Sequence, residues 1–228
     1  MKEYQSFGAG VNSVALAEVL HYRAEAVFSD PGCEYPETYD FLKNYPHPVT
    51  TLHPIVEGCK TIEEWCFKLG HAPFSQMRSC TDKWKHKPLE CYYEKPCIVN
   101  IGIAWDERHR ARKIEKKTRK GTIFFQYPLV DQQITREKCI EIIKEEVGLN
   151  VPPKSGCFFC PLQPKSSWFR LGRHHPELFQ RALRIDDLSD KVKCWEGTKT
   201  VPGLRALWPP QAVFEEDEGW ECQLCMII

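Results

Sequence analysis

The sequence predicts an α/β protein built on a parallel β-sheet, and three features of the chain indicate this class. Short apolar segments alternate with segments of helical periodicity over residues 1–150, which is the order typical of parallel sheets covered by helices. Glycines at positions 8 and 10 join the first apolar segment to the first helical one. Residues 98–103 are almost wholly apolar, as in a strand buried on both faces. We therefore expect a Rossmann-like parallel sheet flanked by helices.

Local patterns place the individual elements along the chain. Apolar runs predict strands at residues 4–7, 25–29, 49–52, 98–103 and 123–129. Helical spacing and capping signals predict helices that begin near Asn12 or Ser13, at Pro36, at Thr61 and at Thr135, the last one ending at Gly148. Residues 70–96 are rich in proline, lysine and aromatic residues, and we expect them to be irregular.

The last third of the chain has a different character. From Val151 onward it contains prolines, paired cysteines, aromatic residues and short helical patterns. We expect residues 1–150 to form the ligand-binding α/β domain and residues 151–228 to form a small cysteine-rich subdomain. In parallel sheets ligands bind beyond the carboxyl ends of the strands, so this subdomain is expected to close over that edge.

Composition and charge narrow the class of protein. Lys and Arg together number 31, and so do Asp and Glu, so no overall charge favours a nucleic acid or a membrane surface. No apolar run approaches the roughly 18 residues of a membrane span, and no leader pattern precedes the first strand, so we expect a cytoplasmic protein without a membrane partner. Twelve cysteines in such a chain favour metal or redox chemistry over disulfides. Cys66, Cys139 and Cys194 lie in mixed or helical patterns and are expected to be structural.

The loop after the first strand is a candidate anion site. A strand, a glycine turn and a helix N-terminus present free N–H groups and the positive end of a helix dipole, which together favour phosphate or sulfate. The candidate binding residues of this loop are Ser6, Gly8, Ala9, Gly10, Asn12 and Ser13.

A second segment carries a resemblance to a known family. The turn Asp30-Pro31-Gly32 is followed by Pro36-Glu37-Thr38-Tyr39. This spacing resembles the Asp-Thr-Gly and Pro-Glu-Thr-Tyr motifs of the adenosine-phosphosulfate and phosphoadenosine-phosphosulfate (PAPS) reductases, whose nucleotide loop is similar to residues 6–9. These reductases belong to the PP-loop group of adenine nucleotide α-hydrolases. The resemblance implies an adenylyl nucleotide ligand, with Asp30 and Gly32 in its site.

A basic segment surrounds one cysteine. It begins Arg78-Ser79-Cys80-Thr81 and continues through Lys83 and Lys85 to Lys87-Pro88-Leu89. Cations stabilise a thiolate and suit a sulfate or phosphate, so Lys85 is a candidate nucleotide ligand. The reductases that hold an iron–sulfur cluster have a Cys-Cys pair before a similar Lys-x-x-Pro-Leu stretch. Here Ser79 stands in place of the first cysteine.

Residues 102–110 resemble a segment of the PP-loop enzymes that act in DNA phosphorothioation. The corresponding arginine of the reductases helps to hold the anionic part of the nucleotide, and the resemblance implies that role for Arg110. Residues 108–120 contain eight Lys and Arg residues, which could form a solvated loop or contact DNA or tRNA. Contacts of the second kind would be mainly with phosphates and would weaken with salt.

A Cys-x-x-Cys pair indicates a metal site. Cys157 and Cys160 have the spacing that lets two thiolates bind one metal, and Cys222 and Cys225 form a second such pair. Those two pairs could hold a structural zinc ion. The reductase resemblance instead implies a [4Fe–4S] cluster with Cys80, Cys157 and Cys160 as three ligands and Cys225 as the substitute fourth.

The C-terminal stretch also resembles the end of the sulfonucleotide reductases, which read Glu-Cys-Gly-Leu-His there. Cys222 matches their nucleophile, which attacks the sulfate sulfur and leaves a thiosulfonate that thioredoxin resolves. Cys222 is therefore expected to be the catalytic nucleophile, with a cluster ligand as the alternative role.

Three functions remain open from the sequence. The first is a reductase-like enzyme for an adenylyl sulfonucleotide. The second is a sulfur transferase that modifies DNA or tRNA through an adenylated intermediate, and the third is a non-catalytic nucleotide-binding module stabilised by zinc. The PP-loop itself reads Ser-Gly-Gly-Lys-Asp-Ser, and here Val11 and Asn12 stand where Lys and Asp would be. Their absence favours a sulfonucleotide over cleavage of ATP to AMP and pyrophosphate.

Overall fold

The structure is a computed structural model that describes residues 1–74, 77–111, 122–195 and 203–207. Five parallel strands form one sheet in the order β3-β2-β1-β4-β5, and helices cover it, so the predicted α/β Rossmann-like class is confirmed. The strands are β1 (Lys2–Ser6), β2 (Glu25–Ser29), β3 (Thr50–Leu52), β4 (Cys97–Ile101) and β5 (Ile123–Gln126).

The helices lie between the strands and after the last of them. They are α1 (Val11–Val19), α2 (Pro36–Asn44), α3 (Ile62–Leu69), α4 (Ser79–Thr81), α5 (Lys87–Tyr92), α6 (Pro128–Asp131), α7 (Arg136–Ile142), α8 (Lys165–His174) and α9 (Pro176–Asp186). π-Helical turns at Asp82–His86 and Ile143–Val147 join α4 to α5 and extend α7, and 3-10 turns form at Trp105–Arg110 and Leu204–Leu207. No helix in these described ranges is long and apolar enough to cross a membrane.

The strand order reverses at β1. The chain runs outward from β1 through β2 to β3 and then returns to β4 on the other side of β1, where Ser6 pairs with Ile101. Such a reversal opens a crevice between the connections that leave the two central strands. The loop after β1 and the segment after β4 therefore border the same crevice.

Alternate residues of the strands supply two cores on opposite faces of the sheet. Phe28 belongs to a cluster with Phe7, Leu16 and Ile143 under α1 and α7, whereas its neighbour Val27 belongs to a cluster with Tyr4 and Val99 on the other face. A third cluster joins α3 and Trp84 to residues from the last third of the chain, among them Phe158, Phe159, Trp168 and Phe179. Cys66, Cys139 and Cys194 are fully buried in these clusters, as expected of structural cysteines.

Two local predictions were wrong. Residues 70–96 were expected to be irregular, but residues 79–92 form a continuous helical run. Trp84 in this run is fully buried in the third cluster. Pro88 cannot donate to the preceding turn, which is π-helical over Asp82–His86, and the Trp84 carbonyl four residues before it accepts from Ser29 Oγ at 2.7 Å. The fifth strand was expected to reach residue 129, but it ends at Gln126 because Pro128 begins α6.

Candidate functional site

A cavity of about 150 Å³ lies at the carboxyl ends of the central strands. Its walls include Ser6, Phe7 and Gly8 after β1 and Ile101, Gly102 and Ile103 at the end of β4. The cavity thus occupies the crevice where the strand order reverses, the place where open α/β sheets bind their ligands.

Gly10 caps α1 in an extended conformation (φ −111°, ψ 174°). Ser13 was expected to cap this helix, as was Asn12, but Ser13 lies three positions inside it and binds the cap residue from there. Its hydroxyl donates to the Gly10 carbonyl at 2.8 Å and accepts from the Gly10 N–H at 3.1 Å. Gln5, buried in β1, donates to the Ser13 carbonyl at 2.5 Å. These bonds fix the loop so that the amino end of α1 faces the cavity, where Gly10 and Ser13 contribute to the wall.

Gly102 lets α1 approach the end of β4. A Cβ atom at this position would lie 3.0 Å from the Asn12 carbonyl oxygen and 3.2 Å from the Ser13 nitrogen. A side chain at residue 102 would therefore press against the backbone of α1, and glycine permits the close approach of the loop after β1.

Three of the cysteines predicted to bind metal lie at this cavity. Cys80, Cys157 and Cys160 all contribute to its wall and are half-buried. Cys80 belongs to the helical run 79–92, and the Cys160 N–H donates to the Cys157 carbonyl at 3.0 Å to form the turn of the Cys-x-x-Cys motif. The sequence places Cys80 far from the other two, and the fold brings all three to one surface.

The Cys-x-x-Cys turn is fixed against the segment that follows β2. Cys157 pairs with Glu34 in an antiparallel bridge, and the Phe158 N–H donates to the Cys33 carbonyl at 3.0 Å. Gln163 adds two bonds, donating to the Phe158 carbonyl at 2.9 Å and accepting from Tyr35 at 2.7 Å. The last third of the chain thereby contributes two of the three thiols at the cavity, those of Cys157 and Cys160.

A buried ion pair lies beside Cys157. The Lys85 ammonium donates to Glu34 Oε1 at 2.9 Å, and the Glu34 side chain has no solvent exposure. Burial raises the pKa of the Cys157 thiol well above its ordinary value, and the Glu34 carboxylate raises it further while Lys85 opposes the shift. The protein by itself therefore favours the neutral thiol at Cys157, and a bound cationic group would be needed to favour the thiolate.

Asn12 and Arg110 belong to a polar network instead of the cavity wall. Glu107 Oε2 accepts from the Asn12 amide at 3.1 Å, and its other oxygen pairs with the Arg110 guanidinium at 2.8 Å. Arg136 donates to Asn12 Oδ1 at 3.3 Å. Arg110 is only 2% exposed. The network therefore holds the first turn of α1 through Asn12, and Asn12, Glu107 and Arg110 do not line the cavity. Ala9, another predicted ligand, is fully buried at φ 53°.

Asp30 and Gly32 form the turn after β2. Asp30 Oδ1 accepts from the Gly32 N–H and from the Tyr39 hydroxyl, both at 2.8 Å, and His53 lies 3.5 Å from Oδ2. Gly32 has φ 70°, and a Cβ there would lie 2.7 Å from Thr61 Cγ2. Both residues therefore stabilise the turn after β2, and neither contributes to the cavity wall.

The remaining predicted residues lie outside the described part of the chain. These are Cys222, Cys225 and residues 112–120 of the basic segment. Of the rest of that segment, Arg108 stacks on Trp105, with its guanidinium carbon 4.5 Å from the ring centre.

The thiols at the cavity have donor atoms that suit more than one metal group. Thiolates suit both zinc and iron–sulfur clusters, and Cys80 and Cys157 pack against the apolar cluster that contains Phe158 and Phe159. Within the described ranges, no three Cys, His, Asp or Glu side chains converge as ligands of a single ion. Cys80, Cys157 and Cys160 line one cavity, and they are three of the four thiols that a [4Fe–4S] cluster takes; the ligands of a cluster surround a body larger than one ion and need not converge on one point.

Sequence reasoning missed Glu34, Gln5 and Gly102 as residues that shape the site. Glu34 acts through a bridge to Cys157 and Gly102 through a contact with α1, and both contacts join residues distant in the chain. Gly102 does follow the buried strand β4 directly, and that position is the one signal that could have identified it.

No protein-family model matches the chain. A curated relative, an uncharacterized protein of Methanocaldococcus jannaschii, is 26% identical over 192 residues, which cover 79% of this chain and 46% of the relative. The chain therefore spans about half the length of the curated relative that it matches.

Proposed function

We propose that the protein is a cytoplasmic enzyme of the PAPS reductase type that binds an adenylyl sulfonucleotide and uses a cysteine thiolate in sulfur chemistry. One observation carries this proposal: the glycine-rich loop after β1 and three cysteines line the same cavity. A loop suited to an oxyanion and soft thiol donors therefore meet at the crevice of the sheet. The resemblances of residues 6–9, 30–39 and 78–89 to the reductases support the same function.

The size of the cavity indicates which part of the ligand it would hold. A volume of about 150 Å³ is below the roughly 300–1,000 Å³ of a complete small-molecule site. The cavity would therefore hold the anionic end of the nucleotide against the amino end of α1. Gly8 is exposed, so the remainder of the nucleotide could extend past the loop.

The proposed reaction is the one that the resemblance to the sulfonucleotide reductases implies. The Cys222 thiolate would attack the sulfate sulfur, the bond from sulfur to the nucleotide phosphate oxygen would break, and the nucleotide would leave with the electron pair. The enzyme would then carry a thiosulfonate on Cys222. A thioredoxin-like dithiol would attack the Cys222 sulfur, release sulfite and restore the thiol while its own two thiols become a disulfide, which supplies the two electrons.

Cys80, Cys157 and Cys160 would hold the [4Fe–4S] cluster, with Cys225 as the fourth ligand. When bound, the cluster would favour the thiolate form of its ligands and would alter the electrostatic field around the sulfate. Glu34 and Lys85 would keep the Cys-x-x-Cys turn and the helical run 79–92 in register with each other, because their ion pair links the two segments.

Metal analysis of protein purified without oxygen tests the cofactor. We expect about four irons per chain, with a broad absorption in the blue, and loss of that iron in Cys80→Ser, Cys157→Ser, Cys160→Ser and Cys225→Ser. Cys91→Ser is the matched control, because Cys91 is an exposed free cysteine outside the cavity. One zinc per chain, lost in Cys157→Ser and Cys222→Ser, would instead identify the zinc-stabilised module.

Sulfite release tests the activity. With adenosine 5′-phosphosulfate or its 3′-phosphorylated form and reduced thioredoxin, we expect sulfite from the wild type and none from Cys222→Ser that keeps its iron. A wild type that retains the cluster and releases no sulfite contradicts the reductase function. Binding of DNA or tRNA that falls steeply with salt and is lost when Arg112, Lys113 and Lys116 are neutralised would then identify the sulfur transferase.

A further inference from the structure

Two cationic side chains, Arg78 and Lys85, line the cavity, and they differ in their partners. The Lys85 ammonium lies 2.9 Å from Glu34 Oε1, and the Glu34 carboxylate is completely buried. Most of the charge of Lys85 is therefore balanced inside the protein before any ligand binds. Lys85 alone would give the cavity little attraction for an anion.

The charge of Arg78 is not neutralised by a carboxylate in the described ranges, in contrast to that of Lys85. Its guanidinium makes no hydrogen bond, ion pair or ring contact with residues in the described ranges, although the residue is half-buried at the cavity wall. A guanidinium carries five N–H donors and a fixed positive charge. When these donors have no partner in the protein, they are available for strong hydrogen bonds to an anion. Arg78 lines the same cavity as the three thiols and precedes Cys80 by two positions.

The backbone at Arg78 is also unusual for its residue type. It adopts the left-handed conformation (φ 49°, ψ 30°), which glycine and asparagine accept more easily than residues with long side chains. Two bonds hold it there: the Arg78 N–H donates to the Phe74 carbonyl at 3.2 Å, and the Arg78 carbonyl accepts from the Asp82 N–H at 3.3 Å. The chain thus carries an arginine where a glycine would fit the backbone better.

We propose that Arg78 is the oxyanion ligand of the cavity and binds the sulfate or phosphate group of the nucleotide between itself and the amino end of α1. This inference rests on the proposed function for the identity of the nucleotide, but the oxyanion itself could equally be a free inorganic ion. The planar guanidinium can donate two parallel hydrogen bonds to a tetrahedral oxyanion, which a lysine ammonium cannot do. Arg78 would therefore hold the anion and set its orientation relative to Cys80.

Calorimetric titration of four probes tests the assignment: adenosine, AMP, adenosine 5′-phosphosulfate and inorganic sulfate. In Arg78→Gln we expect affinity for the anionic probes that bind the wild type to fall about tenfold to a hundredfold, the usual range for a hydrogen bond to a charged group. Affinity for adenosine should change less than about threefold, and Arg78→Lys should lie between the wild type and Arg78→Gln. Arg173 is exposed at the end of α8, and Arg173→Gln should leave the affinity for all four probes unchanged.

Arg78→Gly separates loss of the ligand contact from loss of the fold. Because glycine accepts the left-handed backbone without a steric cost, we expect this variant to melt at the same or a higher temperature than the wild type and still to lose anion affinity. Anion affinity unchanged in both Arg78→Gln and Arg78→Gly would overturn the assignment. An equal fall for adenosine and the anions would also overturn it, because it would indicate a structural role.

The outcomes also distinguish this inference from the proposed function. If no adenine nucleotide binds the wild type but sulfate binds and is lost in Arg78→Gln, the proposed function fails and Arg78 remains an oxyanion ligand. If nucleotides and sulfate bind equally well to the wild type and Arg78→Gln, the function stands and the assignment fails. Binding of none of the four probes to the wild type overturns both.

Discussion

At the scale of single residues, the site depends on a glycine and on two buried polar side chains. Gly102 lets α1 lie close to the end of β4, and the buried polar groups of Gln5 and Ser13 hold the loop after β1. None of these residues is a strong motif residue by itself. Their importance comes from contacts between β1, β4 and α1 that bring the loop to the crevice.

Replacement of Gly102 by alanine tests this contact. The new Cβ would lie 3.0 Å from a backbone oxygen of α1, so the helix has to shift, and we expect a loss of about 1–3 kcal/mol in the free energy of unfolding. Urea denaturation measures it. Gly8→Ala is the matched control, because nothing lies within 4 Å of its added Cβ, and it should unfold at the same or a slightly higher urea concentration than the wild type. Equal stability of the two variants would contradict the close approach of α1.

At the scale of elements, helix ends agree with simple sequence signals where a side chain provides the cap. The Thr61 hydroxyl accepts from the Glu64 N–H at 3.1 Å, and Gly70 ends the same helix, α3, at φ 72°. Thr135 caps α7 in the same way. The first helix differs from these two, because its cap residue Gly10 has no side chain and Ser13 supplies the bond from within the helix.

Thr61→Ala should remove the cap of α3 and lower the free energy of unfolding by ~1 kcal/mol. Thr61→Ser keeps the hydroxyl and should cost less than half as much. Thermal melting of the two variants beside the wild type provides the comparison. If serine were as damaging as alanine, the loss would come from the Thr61 methyl group, which lies against Gly32, and the capping role would be refuted.

At the scale of the whole molecule, one apolar cluster connects the sheet domain to the last third of the chain. Trp65 and Trp84 from the first part pack in the same cluster as Phe158, Trp168 and Phe179. The ion pair between Glu37 on α2 and His175, with 2.8 Å between Oε1 and Nε2, adds a polar link between the same two parts. The division into residues 1–150 and 151–228 remains a prediction about how the chain folds.

Trp168→Ala tests whether this cluster makes the protein a single folding unit. Trp168 is fully buried, so its truncation should cost about 3–5 kcal/mol and shift one cooperative unfolding transition. Trp168→Phe keeps most of the volume and should cost much less. Calorimetry would show the result. Two separate transitions, of which only one moves in Trp168→Ala, would mean that the last third folds independently.

The link between Glu37 and His175 predicts a dependence of stability on pH. Burial acts to raise the pKa of the Glu37 carboxyl, but the hydrogen bond from His175 and neighbouring positive charge outweigh it and hold the pKa below its ordinary value. A lowered folded pKa stabilises the protein above the unfolded value of 4.5, and this contribution is lost as the pH falls through the folded pKa.

Between pH 6 and pH 3, Glu37→Gln should therefore lose less stability than the wild type. The difference should be at most ~1 kcal/mol, because the pair is partly exposed. Urea denaturation at several pH values measures it, and Asp40→Asn, an exposed position on the same helix, serves as the control. Parallel pH profiles for the wild type and Glu37→Gln would show that the pair contributes nothing.

Much of the fold was predictable because it is encoded by local patterns. The five strands lie close to their predicted positions, and α2, α3 and α7 begin at their predicted signals, since proline position, threonine caps and apolar runs act over a few residues. The helical run 79–92 was not predictable in this way. Its π-helical turn is stabilised by the burial of Trp84 and by a bond from Ser29 Oγ to the Trp84 carbonyl at 2.7 Å, both of which depend on segments distant in the chain.

The sequence by itself determined the parallel α/β class, the glycine loop after β1 and the presence of Cys157 and Cys160 in one Cys-x-x-Cys turn. Each of these features depends on residues that are close to one another in the sequence. Only the tertiary structure decided that Cys80 lies at the same cavity as that turn, that Glu34 balances Lys85, and that Asn12 and Arg110 bond to Glu107 behind the loop. Apart from the bond between Arg110 and Glu107, which lie three positions apart, these contacts join residues that lie 51 to 95 positions apart. Their geometry exists only after the sheet has set the strand order and the helices have packed against it.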